Sequence, residues 1–215
     1  MSKFYEDYWQ NKEVLEDFSY KWPVIKRFIP QKTKINILDF GCGKGKIIDE
    51  IVKINHKADI TGVDVSNTAL NFVKKKLKKF KFIKIEDGER LPFNKNYFDF
   101  IIASDVLEHV YNTQNAFKEL SRVLKPQGRI LISVPYNGLI KNIIITLFFF
   151  EFIFDPRSPH IRFYTKRTLL HEIKSAGLTP IKFGYFGRFY PLSKGMFCLC
   201  EKSKPPYWRR RRTNK

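Results

Sequence analysis

The stretch Ile37-Leu38-Asp39-Phe40-Gly41-Cys42-Gly43-Lys44-Gly45-Lys46-Ile47 is the strongest indication of how this chain folds. An apolar run leads into three glycines at alternate positions, and a helix-like run follows them. Glycine allows a backbone to turn sharply and to approach a ligand closely. A helix that begins just after such a turn offers free N–H groups and the positive end of its dipole to an anionic group. The stretch therefore predicts a strand, a glycine loop and a helix that together bind a nucleotide-like ligand.

The spacing of the glycines separates three kinds of nucleotide site. A dinucleotide-binding loop needs G-x-G-x-x-G, but Lys46 stands where its third glycine would be. A P-loop needs G-x-x-x-x-G-K-S/T, and here Ile47 replaces the magnesium-binding hydroxyl. A third pattern, D/E-x-G-x-G-x-G, is matched by Asp39, Gly41, Gly43 and Gly45. It resembles motif I of the class I methyltransferases that depend on S-adenosylmethionine (SAM). The resemblance implies that these residues and Cys42 form the cofactor site.

A second acidic residue follows the loop at a distance typical of ribose-binding carboxylates. Asp64 ends the apolar segment 60–63, about 20 residues after the glycines. A carboxylate can accept both hydrogen bonds from a vicinal diol. We therefore expect Asp64, with Val65 beside it, to bind the ribose of the cofactor. The alternative is a surface aspartate that caps the next helix.

The resemblance continues in order through residues 37–135. In the family, a strand ends in an acidic residue that accepts a hydrogen bond from the adenine amino group, and the next backbone N–H meets a ring nitrogen. Asp87 and Gly88 match those positions, and Ser104 ends the following strand. An ordinary Asp-Gly surface turn is the alternative for the first two. The segments 105–110 and 122–132 are similar to later motifs of small-molecule methyltransferases, including the ubiquinone-biosynthesis O-methyltransferases.

Two histidines are candidates for the general base. Methyl transfer to a hydroxyl is helped by a group that removes its proton, and imidazole does this near neutral pH. His109 follows the fourth predicted strand, and His160 lies in a segment that resembles one near the substrate pocket of relatives. Either could instead be structural. Asp105, Glu108 and His109 could share one helical face and hold a divalent cation, but two carboxylates and one imidazole make a weak metal signature. We predict no metal.

The alternation of strand-like and helix-like segments predicts an α/β fold. The strands fall near 35–40, 59–64, 81–86, 98–104, 128–134, 179–187 and 195–201, and the helices near 44–54, 67–79, 113–124 and 166–176. By the resemblance, we expect a Rossmann-like, mostly parallel seven-stranded sheet with helices on both faces and an antiparallel last strand. Residues 1–204 form one domain in this prediction, and 205–215 form a basic tail.

Two segments outside the motifs are expected to complete the site. The aromatic N-terminal region, within residues 1–30, predicts a helical lid over the cofactor, with a helix packed outside the sheet as the alternative. Residues 137–165 are expected to be an insertion that forms the acceptor site. Within it, Leu139–Phe154 would be an apolar wall or lid, or else an ordinary core helix. At 16 residues this run is shorter than the roughly 20 that cross a bilayer.

The chain has 215 residues and a net charge of +19. Such charge attracts anionic lipid or nucleic acid. Three cysteines and the lack of an apolar leader favour a cytoplasmic protein, peripheral at the inner face of the membrane in one interpretation. We expect SAM as cofactor and a small-molecule or lipid-linked methyl acceptor, modified at oxygen. The alternatives are an RNA methyltransferase and a non-catalytic domain that binds SAM or another nucleotide.

Overall fold

The computed structural model describes residues 2–11, 18–31, 34–153 and 161–203. Its strands are β1 Asn36–Phe40, β2 Asp59–Asp64, β3 Lys81–Lys84, β4 Phe98–Ser104, β5 Leu124–Pro135, β6 Leu178–Phe186 and β7 Gly195–Lys202. Its helices are α1 Ser2–Asn11, α2 Phe18–Ile25, α3 Lys46–Ile54, α4 Asn67–Lys76, α5 Thr113–Val123, α6 Leu139–Phe148, α7 Phe150–Ile153 and α8 Lys166–Ser175. The prediction of an alternating α/β chain is confirmed.

The strands form one seven-stranded sheet in the order β3-β2-β1-β4-β5-β7-β6. The first five strands pair in parallel, and β7 runs antiparallel to both β5 and β6. The predicted mostly parallel sheet with an antiparallel last strand is therefore confirmed. The strand order changes direction between β1 and β4, and open α/β sheets bind their ligands at such a point, beyond the carboxyl ends of the strands.

The core has two halves, one on each face of the sheet. In β1, Ile37 belongs to one cluster and Leu38 to the other, and in β4 Ile101 and Ile102 divide in the same way. Successive side chains of a strand point to opposite faces, so a strand that is buried on both faces reads as a continuous apolar run. Helices α3 and α4 cover one face, whereas α5 and α8 cover the other. Helices on both faces were predicted, and they are present.

Local sequence explains where several helices begin. Ser66 caps α4 by accepting a hydrogen bond from the backbone N–H of Ala69, and Asn112 caps α5 in the same way through Asn115. Thr165 and Thr168 form a reciprocal capping box at the start of α8. Ser66 follows the last residue of β2 by two positions, so its cap lies at the edge of the sheet where the candidate site is found.

Candidate active site

A cavity of about 820 Å³ opens at the carboxyl ends of β1, β2 and β4. Its volume lies within the range of small-molecule and cofactor sites. The predicted site residues that line it are Gly41, Cys42, Gly43, Asp64, Val65, Asp87, Gly88, Ser104 and His109. The topology of the sheet thus brings nine residues from four separate segments of the sequence into the lining of one cavity.

The glycine loop has the backbone conformation that its glycines predict. Gly41, Gly43 and Gly45 have φ angles of +77°, +49° and +78°, in the left-handed region that side chains disfavour. A β-carbon on Gly41 would lie 2.5 Å from Val106, and one on Gly43 would lie 2.5 Å from the ring of Trp9. The first two glycines are therefore needed for space as well as for conformation, and Trp9 covers part of the loop.

The loop is tied to Asp64 by a direct hydrogen bond. The Gly43 N–H donates to one carboxylate oxygen at 2.8 Å, and the Ser66 N–H donates to the other at 2.9 Å. Burial raises the pKa of Asp64, while these two bonds oppose that rise. Asp64 is thus fixed in orientation before a ligand arrives, with a lone pair on each oxygen still able to accept.

Two residues of the predicted loop motif do not line the cavity. Asp39 lies inside β1, buried beneath the loop, and burial together with the nearby Asp64 raises its pKa to about 7. Gly45 faces α4, where a β-carbon would lie 2.4 Å from Val73. Direct contact of these two residues with the cofactor stays a prediction, because neither belongs to the cavity lining. Both support the loop from behind, because the strand and the third glycine turn away from the cavity.

The backbone donors of the loop are mostly used within the protein. The N–H groups of Gly41 and Cys42 both donate to the Val63 carbonyl, and the Gly45 N–H donates to the Cys42 carbonyl. Lys44 and Lys46 also line the cavity, where Lys46 pairs with Glu50 at 3.3 Å and Lys44 lies 5.1 Å from the centre of the Phe72 ring. Their positive charge and the positive end of α3 favour an anion at this edge.

Asp87 lies at the cavity, but its carboxylate already has a partner. Both oxygens accept from the Tyr111 N–H, at 3.0 and 3.3 Å. Gly88 follows with a φ of +78°, and its carbonyl accepts from the Asn115 side chain at 2.6 Å. Strand β3 ends at Lys84, two residues before the predicted end, so Asp87 and Gly88 belong to a turn rather than to a strand end.

The floor of the cavity carries an ion pair that the sequence analysis missed. Lys21, buried in α2, pairs with Asp105. Asp105 also accepts from the Ser133 hydroxyl at 3.1 Å, and Ser133 lies 2.8 Å from the hydroxyl of Ser104. Lysine is seldom buried without a partner, but nothing in the local sequence of Lys21 points to Asp105, which is far along the chain.

Next to this pair stand Glu108, His109 and Tyr5. The Glu108 side chain is 1% exposed, and among the described residues neither of its oxygens has a hydrogen-bond partner. Burial and the nearby Asp105 raise its pKa well above the usual range. The imidazole Nε2 of His109 lies 3.8 Å from Glu108, and the Tyr5 ring meets the His109 ring edge-on at 5.8 Å between centroids. The buried Tyr5 hydroxyl likewise lacks a partner within the described part of the chain.

The idea of a divalent cation held by Asp105, Glu108 and His109 is not supported. Over residues 2–11, 18–31, 34–153 and 161–203, no set of three acidic, histidine or cysteine side chains converges as a metal site. The reason is that Asp105 is engaged by Lys21 and Ser133, and residues 107–109 form only a short 3-10 turn. His160, the other candidate base, lies outside the described residues.

Helix α1 lies over the cavity, where Tyr5, Tyr8 and Trp9 form part of the lining. Glu6 on the same helix accepts hydrogen bonds from the backbone N–H groups of Asn67 and Thr68 and from the Ser66 hydroxyl. These bonds lower the pKa of Glu6 to about 2. An acidic side chain at the N-terminus of α4 also complements the helix dipole. The placement agrees with the predicted N-terminal cover, although the cap itself was not foreseen.

Comparisons with known proteins agree with this geometry. A family model described as a methyltransferase domain matches residues 38–132. A ubiquinone biosynthesis O-methyltransferase of Coxiella burnetii is 27% identical over 183 residues, which cover 80% of this chain and 77% of that protein. A ubiquinone/menaquinone biosynthesis C-methyltransferase of Vibrio cholerae is 34% identical over 103 residues, 45% of this chain and 39% of that protein. The crystal structure of a SAM-dependent methyltransferase from Aquifex aeolicus superposes with a TM-score of 0.71 at 16% identity, covering 92% of this chain and 98% of that one.

Residues 38–132 match the methyltransferase family, and the chain is a SAM-dependent methyltransferase. SAM is its cofactor, and the resemblance stated from motif I is confirmed.

The residues of this methyltransferase fit the cofactor. The cavity is large enough, its edge is that at which α/β sheets bind nucleotides, and the pre-oriented Asp64 stands next to the glycine loop. Of the remaining groups of this site, Lys21 belongs to no local motif. Glu108 was predicted only as a possible metal ligand beside Asp105 and His109, and the aromatic residues of α1 only as part of a lid. The rule that buried charged groups need partners gives Glu108 a separate importance.

Proposed function

We propose that this methyltransferase transfers the SAM methyl group to an oxygen of a small or lipid-linked hydroxyl compound. One observation carries the proposal. Glu108 and the Tyr5 hydroxyl are buried polar groups without partners among the described residues, and both are near His109 in the cavity. A buried polar group is costly until it is hydrogen-bonded. An acceptor that carries hydroxyl groups would satisfy both.

The cofactor would be held by the groups around the glycine loop. Gly41, Cys42 and Gly43 would lie under its amino-acid part, Asp64 and Val65 at its ribose, and Asp87 and Gly88 at its adenine, with Ser104 on the floor. Because Asp87 already accepts from Tyr111, adenine recognition there would use its remaining lone pairs. When bound, SAM supplies a methyl group that is activated by its attachment to a positively charged sulfur.

His109 would take the proton of the acceptor hydroxyl. It lines the cavity, and its side chain is held between Tyr5 and Glu108. Burial and the nearby Asp105 raise the pKa of Glu108 well above its usual range, which favours the protonated carboxyl group, and this form could donate a hydrogen bond to an acceptor oxygen. Helix α1 would exclude water from the acceptor and keep the reacting groups close.

The segment between β5 and α8 supports an acceptor with an apolar part. It leaves the sheet at Pro135, which lines the cavity, and returns where the Ile161 N–H donates to the Glu108 carbonyl at 3.2 Å. Both ends of this insertion thus lie at the cavity, and its helices α6 and α7 are rich in Ile, Leu and Phe. The name of the Coxiella burnetii relative, an O-methyltransferase of ubiquinone biosynthesis, is consistent with an acceptor of this type.

The test is product formation from radiolabelled SAM with separate lipid, small-metabolite and RNA extracts. We expect label in the lipid or small-metabolite fraction, on a methoxy group identified by mass spectrometry. His109→Asn should lower the rate about 100-fold or more, the usual loss for a general base, while binding of S-adenosylhomocysteine by calorimetry stays unchanged. His56→Asn, an exposed histidine in the turn before β2, is the matched control and should keep full activity.

Two results would contradict the proposal. Folded protein that binds S-adenosylhomocysteine but labels no extract would favour a non-catalytic SAM-binding domain. Label in the RNA fraction would favour the RNA methyltransferase that the net charge of +19 suggests. In that case, RNA binding should weaken steeply with salt, because phosphate contacts release counterions.

A further inference from the structure

Helix α6 stands out from the body of the protein. None of its residues is buried, and with α7 it exposes eight large apolar side chains: Leu139, Ile140, Ile143, Ile144, Leu147, Phe148, Phe149 and Phe150. Leu139 is 76% exposed and Phe148 is 73% exposed. Single exposed apolar residues are common, but a contiguous patch of this kind marks an interaction site. The core-helix alternative for this run is therefore wrong over its described part.

The distribution of these side chains around α6 indicates what covers them. At 3.6 residues per turn, the six exposed residues from Leu139 to Phe148 spread over roughly half of the helix circumference. Lys141, Asn142 and Ile145 lie on the opposite side and are less exposed. The groove of a protein partner takes up a narrow apolar stripe, whereas the acyl boundary of a bilayer accommodates a whole face.

Aromatic and basic residues lie beside the base of α6. The Lys141 ammonium donates to the Tyr136 carbonyl at 2.7 Å and to the Lys194 carbonyl at 3.5 Å, and this fixes α6 next to the loop between β6 and β7. In that loop Phe189 and Tyr190 are exposed, and the Lys194 ammonium stands 4.5 Å above the exposed ring of Tyr20. Aromatic rings and basic side chains at the edge of an apolar surface are typical of the lipid headgroup layer.

We propose that α6, α7 and the neighbouring Phe189 and Tyr190 form a docking surface for an anionic phospholipid bilayer. The net charge of +19 complements such a surface. Across residues 2–11, 18–31, 34–153 and 161–203, none of the helices has the length and apolar character needed to cross a bilayer. Helix α6, with ten residues, would lie in the headgroup layer instead.

Docking would also place the cavity close to the lipid. Helix α6 begins at Leu139, four residues after Pro135, which belongs to the cavity wall. A lipid-linked acceptor could then reach the site from the membrane. This consequence of docking rests on the proposed function and deepens it. The docking itself does not need that function to be right, since it can be measured without SAM or acceptor.

The experiment is flotation of the full chain with vesicles, one set of phosphatidylcholine alone and one of phosphatidylcholine with phosphatidylglycerol. We expect binding to the anionic vesicles that weakens as salt is raised. The double variant Leu147→Ser, Phe148→Ser should bind at least about 10-fold more weakly, because two large apolar side chains no longer enter the lipid. The control is Phe72→Ser, which alters an exposed aromatic residue on α4 and should bind like the parent.

Calorimetry with S-adenosylhomocysteine shows whether each variant is folded, and thereby separates failed docking from a failed cofactor site. Three outcomes would overturn the docking proposal. The folded parent might bind neither vesicle. The double variant could bind as well as the parent, which would assign binding to residues 205–215 or to general charge. Finally, a dimer seen by sedimentation that the double variant abolishes, without vesicle binding, would assign the apolar face to a second copy of the chain.

Discussion

Two aspartates lie one behind the other at the glycine loop, and their surroundings give them different roles. Asp64 is held by two backbone N–H groups, which favour its charged form. Asp39 is fully buried, and one of its oxygens has no hydrogen-bond partner within the described residues. Its pKa of about 7 follows from burial first and from the charge of Asp64 second. The folded protein thus stabilises the charged form of Asp39 less than that of Asp64.

The raised pKa of Asp39 predicts a pH dependence of stability. Between pH 4 and pH 7, the unfolded chain releases this proton while the folded protein keeps it. The contribution of Asp39 to the free energy of unfolding therefore falls as the pH rises through that window. We expect Asp39→Asn to gain stability relative to the parent, by up to about 1.4 kcal/mol per pH unit.

Urea unfolding at several pH values measures this difference. The control is Asp59→Asn, which replaces an exposed aspartate at the start of β2. The difference in the free energy of unfolding between this variant and the parent should change little from pH 4 to pH 7. A difference for Asp39→Asn that stays constant from pH 4 to pH 7 would contradict the raised pKa.

Gly43 allows a second test at the scale of one residue. In Gly43→Ala, the new methyl group would push against Trp9 as well as strain the backbone at a φ of +49°. The strain alone costs about 1–2 kcal/mol, and the displaced Trp9 ring would disturb the cofactor site. We expect calorimetry to show at least about 10-fold weaker binding of S-adenosylhomocysteine.

Gly177→Ala is the matched control for Gly43→Ala. Gly177 has a φ of +74°, but a β-carbon there would have no atom within 4 Å. It should therefore lose a similar amount of stability through strain and keep its affinity for S-adenosylhomocysteine. Equal affinities in the two variants would show that Trp9 and the loop do not cooperate in binding.

At the scale of elements, α1 is attached to the rest of the protein through the end of another helix. Glu6 accepts hydrogen bonds at the first turn of α4, and Trp9 packs on the glycine loop. Side-chain caps of this kind contribute about 1 kcal/mol. The cover of the cavity thus depends on an interaction between α1 and α4, and not on the sheet.

Glu6→Ala should release α1 from the cavity. We expect faster hydrogen exchange in residues 2–11 and weaker binding of S-adenosylhomocysteine, while exchange in the central strands stays the same. Glu201→Ala is the control, because Glu201 forms an exposed ion pair with Arg129 on the neighbouring strands β5 and β7. If α1 exchanged no faster in Glu6→Ala than in the parent, the attachment would lie elsewhere.

At the scale of the whole molecule, ligand binding and folding are linked. The cavity is formed by residues from β1, β2, β4 and α1, so S-adenosylhomocysteine should bind only to the folded protein. At 100 times its Kd, such a ligand stabilises by about 2.7 kcal/mol. For a protein of this size, that corresponds to a rise in Tm of roughly 5–11 °C.

Thermal unfolding with and without S-adenosylhomocysteine measures this rise. Adenosine, which lacks the amino-acid part, is the control and should raise the Tm less at the same concentration. No rise with S-adenosylhomocysteine would argue against the cavity at the glycine loop as the cofactor site.

The sheet, the glycine loop and most of the cavity lining could be predicted from the sequence alone. The reason is that these features depend on local patterns: apolar runs that form strands, glycines at alternate positions, and an acidic residue at the end of β2 (Asp64) or in the turn after β3 (Asp87). Parallel strands place their carboxyl ends at one edge, so residues at strand ends meet without further information. The predicted end of β3 was wrong by two residues, and Asp39 and Gly45 lie behind the cavity lining.

Contacts between distant segments could not be predicted from the sequence and are known only from the folded structure. Lys21 meets Asp105, Glu6 caps a helix 60 residues away, and Glu108 is left buried without a partner among the described residues. The tertiary structure also left α6 exposed, although its composition suits a core helix equally well. Periodicity tells which side of a segment is apolar, but what covers that side depends on how all the elements pack together.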